Sequence, residues 1–162
     1  MSDDSTAAGA VKRWYFEDFQ IGRRFSTGTC VVTEAQIKAF ATQFDPQPFH
    51  LDAEAASTTL FGGLVASGWH TAAISMRLLV DAGPALAGGT VGLGAEISWP
   101  QPVRPGDILH VDGEVIDAVP SRSRPGRGRV TTRNETRNER GAVVQLAITK
   151  MLVPRRAVKP GN

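Results

Sequence analysis

The 162 residues suit one domain with enough chain to bury a real core, and 41% hydrophobic with 21% charged residues are globular values. A net charge of +2 is too small to argue for nucleic acid, the pI near 9.0 leaves anionic small ligands open, and the single cysteine, Cys30, excludes an internal disulfide and offers no metal cluster. One thiol favours a reducing interior, so the expected location is cytoplasmic; no apolar run approaches the ~20 residues that span a bilayer, and the acidic start from Met1 to Ala10 is expected to be neither signal nor anchor.

Residues 1–12 are small and polar, with nothing to bury, and are expected to be a disordered tail. Residues 13–154 then make the single domain, and 155–162 a second tail. Trp14-Tyr15-Phe16 with Phe19 looks like a lead-in segment packing on the body of the domain. Arg24 to Val32, β-branched at its end, reads as a first strand. Thr33-Glu34-Ala35-Gln36 matches a capping box, and Ile37, Phe40 and Phe44 are spaced for one buried helix face. That helix must stop at Asp45-Pro46-Gln47-Pro48, because each proline fixes its own φ and pushes the preceding residue into extended conformations. On a straight extended segment, residues five apart face opposite sides, so Asp45 and His50 meet only if the chain bends between them. A proline-stiffened bend would hold a carboxylate and an imidazole over one spot.

Asp52 to Thr59 is alanine-rich and predicts a short helix capped by Asp52. Ser67-Gly68 then precedes Trp69 to Val80, which is apolar around nearly its whole circumference and predicts a buried central helix, stopped by Gly83-Pro84. The second half reads as strands at about Val91 to Trp99, Ile108 to Val119, Arg127 to Asn138 and Ala142 to Val153, with Asn138-Glu139-Arg140-Gly141 as a hairpin turn. His110, Asp112 and Glu114 alternate with Leu109, Val111 and Val115, interrupted by Gly113, so one sheet face should be wet. A strand, helices and four consecutive antiparallel strands imply an α+β domain with an antiparallel sheet folded around a central helix.

The run Phe44-Asp45-Pro46-Gln47-Pro48-Phe49-His50-Leu51-Asp52, followed by Thr59 to Gly68, resembles the MaoC-like dehydratases, the (R)-specific enoyl-CoA hydratases of the hot dog fold. The family motif is an Asp, any residue, Asn, Pro, an aliphatic residue and His. This chain matches it at Asp45, Pro48 and His50, and departs from it with Gln47 for the Asn, Phe49 for the aliphatic residue and Phe44 for the glycine that commonly precedes the Asp. The likeness extends over roughly Tyr15 to Val153 and includes Ile97 to Asp107.

The resemblance implies addition of water across a trans-2-enoyl-CoA to give an (R)-3-hydroxyacyl-CoA, or the reverse. It implies no metal and no redox cofactor, coenzyme A entering as part of the substrate. Water is a poor nucleophile, so a carboxylate must take its proton while a second group returns one to the α-carbon. Asp45 is the expected principal base and His50 the partner that positions the water and shuttles the proton, roles that can be exchanged or shared. Negative charge then grows on the thioester oxygen. The family's matching glycine amide binds that oxygen, which assigns the role to Gly68 at the start of the central helix. Gln47, Phe49 and Ser67 are expected to shape the substrate pocket. Arg122 and Arg124, in the basic run Ser121 to Arg129, either contact CoA phosphates or belong to a solvated loop.

Plainer readings stand beside these. Asp45 can simply end a helix, His50 can be a satisfied core histidine, and Ser67-Gly68 can simply cap the next helix. His70 is expected to pack or face solvent, His110 to be exposed and Trp69 to be core. The resemblance also implies a homodimer or an oligomer of dimers, while the charge balance and the lack of a spanning apolar run predict neither nucleic acid nor membrane as partner. The rival functions are a non-catalytic acyl-CoA binding or accessory subunit and a hot dog thioesterase.

Overall fold

A computed structural model of the chain describes residues 13–89 and 91–157. The expectations for residues 1–12 and 158–162 fall outside the described residues. Trp14 and Phe19 meet edge to face, with ring centroids 5.1 Å apart, and Phe19 buries against Val115, Val130 and Val153, so the aromatic lead-in does pack on the domain. A single 3-10 turn, Phe16–Asp18, lies between them.

The strand expected from Arg24 to Val32 is instead two short ones, β1 (Arg24–Ser26) and β2 (Cys30–Val31). Both pair antiparallel with the long strand at Ile108–Pro120. Ser26 lies opposite Asp112 and Cys30 opposite Leu109, so three residues on one side face two on the other, the extra residue of a bulge. Thr27 bridges the break: its N–H donates to the Val111 carbonyl and its hydroxyl accepts from the Val111 N–H.

The capping box forms as expected at α1 (Glu34–Phe44), with the Gln36 N–H donating to Thr33 Oγ1 and the Thr33 N–H donating to Gln36 Oε1. Its buried residues are Ile37 and Ala41. Phe44 is 65% exposed, with the Phe40 ring beside it at 5.1 Å, so the expected stripe loses its last member. Two short helices follow, α2 (Pro48–Leu51) and α3 (Ala53–Ser57), the second capped by Asp52, whose Oδ1 accepts from the Ala55 N–H.

Helix α4 (Gly68–Ala82) lies against one face of the sheet, burying His70, Thr71, Ser75 and Leu78. Its opposite stripe, Trp69, Met76 and Val80, faces out, and Trp69 is 61% exposed. An all-round apolar helix was expected to be buried all round. Within one chain there is a layer on only one of its sides, and Trp69 is not core. No helix among the described residues is long and apolar enough to cross a membrane.

The remaining strands are β3 (Val91–Ser98), β4 (Ile108–Pro120), β5 (Arg127–Arg137) and β6 (Val143–Pro154), all antiparallel in the order β1-β4-β5-β6-β3. Leu109, Val111 and Val144 meet Leu78, Ile37 and Val103 in the core beneath α4. The outer face is wet, as the alternation required: Arg133 and Arg137 pair with Glu135, and half-buried His110 lies 3.3 Å from Asp112 rather than standing free. Gly113 interrupts the alternation because the Phe25 ring lies over it; a Cβ there would sit 2.1 Å from Phe25 Cζ. The start of the expected C-terminal tail is tied down, Arg155 to Glu17 at 3.1 Å and Arg156 to Asp18 at 2.6 Å.

Candidate active site

Asp45 ends α1, donating its N–H to the Ala41 carbonyl, and the chain turns at once. The Gln47 N–H donates to the Asp45 carbonyl at 2.8 Å, and Pro48 begins α2, a position where a missing N–H costs nothing. That single turn reverses the chain and brings His50 back over the carboxylate, with Nε2 3.3 Å from Asp45 Oδ2. The proline corner therefore makes the bend that the five-residue spacing required.

Two donors and one imidazole converge on Asp45. Ser67 Oγ donates to Oδ2 at 2.6 Å, Gln47 Nε2 donates to Oδ1 at 2.7 Å, and His50 faces Oδ2. The Ser67 hydroxyl holds the Asp45 carboxyl below the usual carboxylate range; burial pushes the other way, while the Gln47 amide and the nearby imidazole add to the lowering. His50 is buried, and its Nδ1 lies 2.7 Å from the Val65 carbonyl. A carbonyl only accepts, so Nδ1 carries a proton and Nε2 is the nitrogen left to exchange one with Asp45.

Ser67 has two tasks. While donating to Asp45 it accepts from the Trp69 N–H at 3.2 Å, capping α4. Gly68 is the first residue of that helix, where an N–H has no intrahelical acceptor, and no carbonyl of the described residues receives it. The Trp99 ring lies over Gly68 so closely that a Cβ there would sit 2.7 Å from it. Trp99 is itself fixed by its Nε1–H to Gln145 Oε1 at 2.9 Å and by edge-on contact with Trp69 at 5.3 Å.

Asp45, Gln47, Phe49, His50, Ser67 and Gly68 all line one cleft of ≈ 510 Å³. Gln47 is engaged with Asp45, so it holds the carboxylate in place. Phe49 stands edge-on to His50 at 4.6 Å and packs on Phe61 at 5.2 Å, making an apolar wall beside the imidazole. Arg122 and Arg124 are not brought here. They line a separate groove with Leu93 and Leu152, at the other end of β3 from Trp99. Leu93 and Trp99 are six positions apart along extended chain, about 20 Å. His70 is buried, stacked on Phe40 at 4.8 Å, with burial lowering its pKa; it is packing, as expected. Among the described residues no three His, Cys, Asp or Glu side chains converge on one point.

Sequence reasoning did not find the Ser67 bond to Asp45, the Val65 carbonyl behind His50, the Trp99 cover or the presence of Arg104 in the cleft. Each joins segments far apart in the chain, and no local pattern signals it. Chemically, the site offers a paired carboxylate and imidazole for one proton, facing a cleft that also carries an unengaged amide for a developing negative charge.

Residues 18–139 match the family described as MaoC like domain. A MaoC-like dehydratase from Rhodospirillum rubrum is 56% identical, with a TM-score of 0.87 over 90% of this chain and 99% of that one. The 3-hydroxybutyryl-CoA dehydratase of Methylorubrum extorquens is 34% identical over 116 residues, 68% of this chain and 69% of its own. The R-hydratase PhaJ1 from Pseudomonas aeruginosa is 27% identical with a TM-score of 0.70, over 91% of this chain and 94% of that one. The architecture shared with these structures is the α+β hot dog, an antiparallel sheet around a helix.

Proposed function

Because the chain belongs to the MaoC-like dehydratase family, we propose that it adds water to trans-2-enoyl-CoA thioesters to give (R)-3-hydroxyacyl-CoA, or removes water in the reverse direction. The observation that carries this is the Asp45 and His50 pair lining one cleft with the Gly68 amide. A water held by Oδ2 and Nε2 attacks the β-carbon and gives its proton to the pair. The electron pair of the double bond moves toward the thioester oxygen, which the Gly68 N–H receives. The pair then returns a proton to the α-carbon. Asp45 is the principal base, and the proton belongs to the coupled pair rather than to either member. The Ser67 and Gln47 bonds that lower the Asp45 carboxyl pKa keep it in the ionised form that can accept a proton from water. Neither redox change nor metal is needed.

Phe49, Phe61 and Trp99 give the acyl part an apolar wall. The site is proposed to work in the cytoplasm as a homodimer. Strand β3 ends the described sheet; its Gly92, Gly94 and Ala95 line one cavity with Met76 and Val80, and Val91, Leu93 and the Trp69, Met76 and Val80 stripe are exposed, an edge and face that a second copy would cover. A two-fold axis through β3 pairs it antiparallel with its mate. The partner's Arg122 and the partner's Arg124 would then approach this cleft, which is how the basic loop would meet CoA phosphates. Sedimentation equilibrium should give twice 17.3 kDa; a monomer would remove this arrangement.

The test of function is loss of the conjugated enoyl-CoA absorbance, with chiral analysis of the hydroxy product. The expected product is R, and tight thioester binding with no turnover at any chain length would support the accessory role instead. Since its folded pKa is depressed, Asp45 protonates at lower pH than an ordinary aspartate, so the acid limb of kcat/KM that it sets should lie at lower pH than an unperturbed carboxyl would give. Ser67→Ala should move that limb to higher pH.

A further inference from the structure

We propose that Arg104 binds an oxyanion carried by the substrate, a carboxylate on the acyl chain or a phosphate of coenzyme A; this rests on the thioester reading above. Arg104 follows Val103, whose carbonyl accepts from the Ala66 N–H at 2.9 Å, so its segment is stitched to the one that delivers Ser67. Its side chain is half-buried and lines the same cleft as Asp45 and Phe49. The guanidinium is aimed by one bond, Nη2 to the Phe61 carbonyl at 2.6 Å. Gly63 leaves space beside Nη1, which a Cβ would approach to 3.4 Å.

Carboxylates are engaged elsewhere. Asp107 Oδ2 accepts from the Arg104 backbone N–H at 2.9 Å, while Oδ1 lies 3.3 Å from Arg140. Among the described residues no carboxylate pairs with the Arg104 guanidinium, in contrast to Arg133, Arg137 and Arg155. A guanidinium has five N–H donors in a fixed fork that matches carboxylate or phosphate oxygens. Partly desolvated and with most donors unused, it favours such a group, and a charge-assisted bond there is strong. Its anchor on the Phe61 carbonyl, rather than on Asp45 or His50, places it in the cleft apart from the proton-transfer pair, where it would meet a part of the substrate other than the reacting carbons.

The test is calorimetric binding of saturated thioesters, which need no turnover, to the wild-type chain, Arg104→Gln and Arg104→Lys. The probes are butyryl-CoA, butyryl-pantetheine without phosphates, and glutaryl-pantetheine with a carboxylate only. Arg104→Gln should weaken the anionic probe at least tenfold and leave butyryl-pantetheine unchanged, with Arg104→Lys recovering part of the loss. Loss confined to butyryl-CoA assigns the phosphate, and loss confined to glutaryl-pantetheine assigns the carboxylate. Equal affinities for all three proteins, or an equal loss with uncharged butyryl-pantetheine, overturn the role of Arg104 and leave the hydratase reading intact. A wild-type chain that binds none of the probes overturns both.

Discussion

Asp45→Asn is expected to lower kcat for enoyl-CoA hydration by about 10²–10⁴-fold, the usual worth of a positioned general base. The substitution is close to isosteric, and the surroundings can accept it. The new amide oxygen can take the Gln47 donor now at 2.7 Å, while its NH₂ faces Ser67 Oγ and His50 Nε2, both able to accept. The fold and the cleft should therefore survive, with stability lower by about 1 kcal/mol because a charge-assisted bond becomes a neutral one. KM should change little, since the carboxylate serves the transition state more than the bound substrate. Rates near wild type, with melting and KM unaltered, would show that the proton goes elsewhere and that His50 acts alone.

The corner that carries this pair was legible because its causes are local. Two prolines and a five-residue spacing force a bend, and the bend is where a carboxylate and an imidazole meet. The Thr33 and Gln36 capping box was legible for the same reason. What tunes Asp45 was not: Ser67 arrives from 22 residues away, and the Val65 carbonyl that sets the His50 tautomer from 15. The first strand was misread because a bulge depends on the partner strand, where Val111 meets Thr27, and neither segment shows it alone. Helix α4 was misread because periodicity reports how many sides of a helix are apolar, and not which neighbours are present to cover them.

Gly68 explains two features at once, and two substitutions separate them. Any side chain at 68 drives a Cβ to 2.7 Å from the Trp99 ring, so Gly68→Ala tests the steric requirement while keeping the N–H. Gly68→Pro imposes a similar clash and also removes the donor. Proline suits the first position of a helix, and Ser67 already has φ −56 and ψ 142, the extended conformation a following proline requires, so α4 should still form. If the amide receives the thioester oxygen, its loss costs about 2.7–4 kcal/mol of transition-state stabilisation, or roughly 10²–10³ in kcat. Gly68→Pro should therefore fall below Gly68→Ala by that factor, while both bind butyryl-CoA with comparable affinity. Equal rates for the two variants would mean that glycine is present only to admit Trp99, and that the negative charge is stabilised by another group of the cleft.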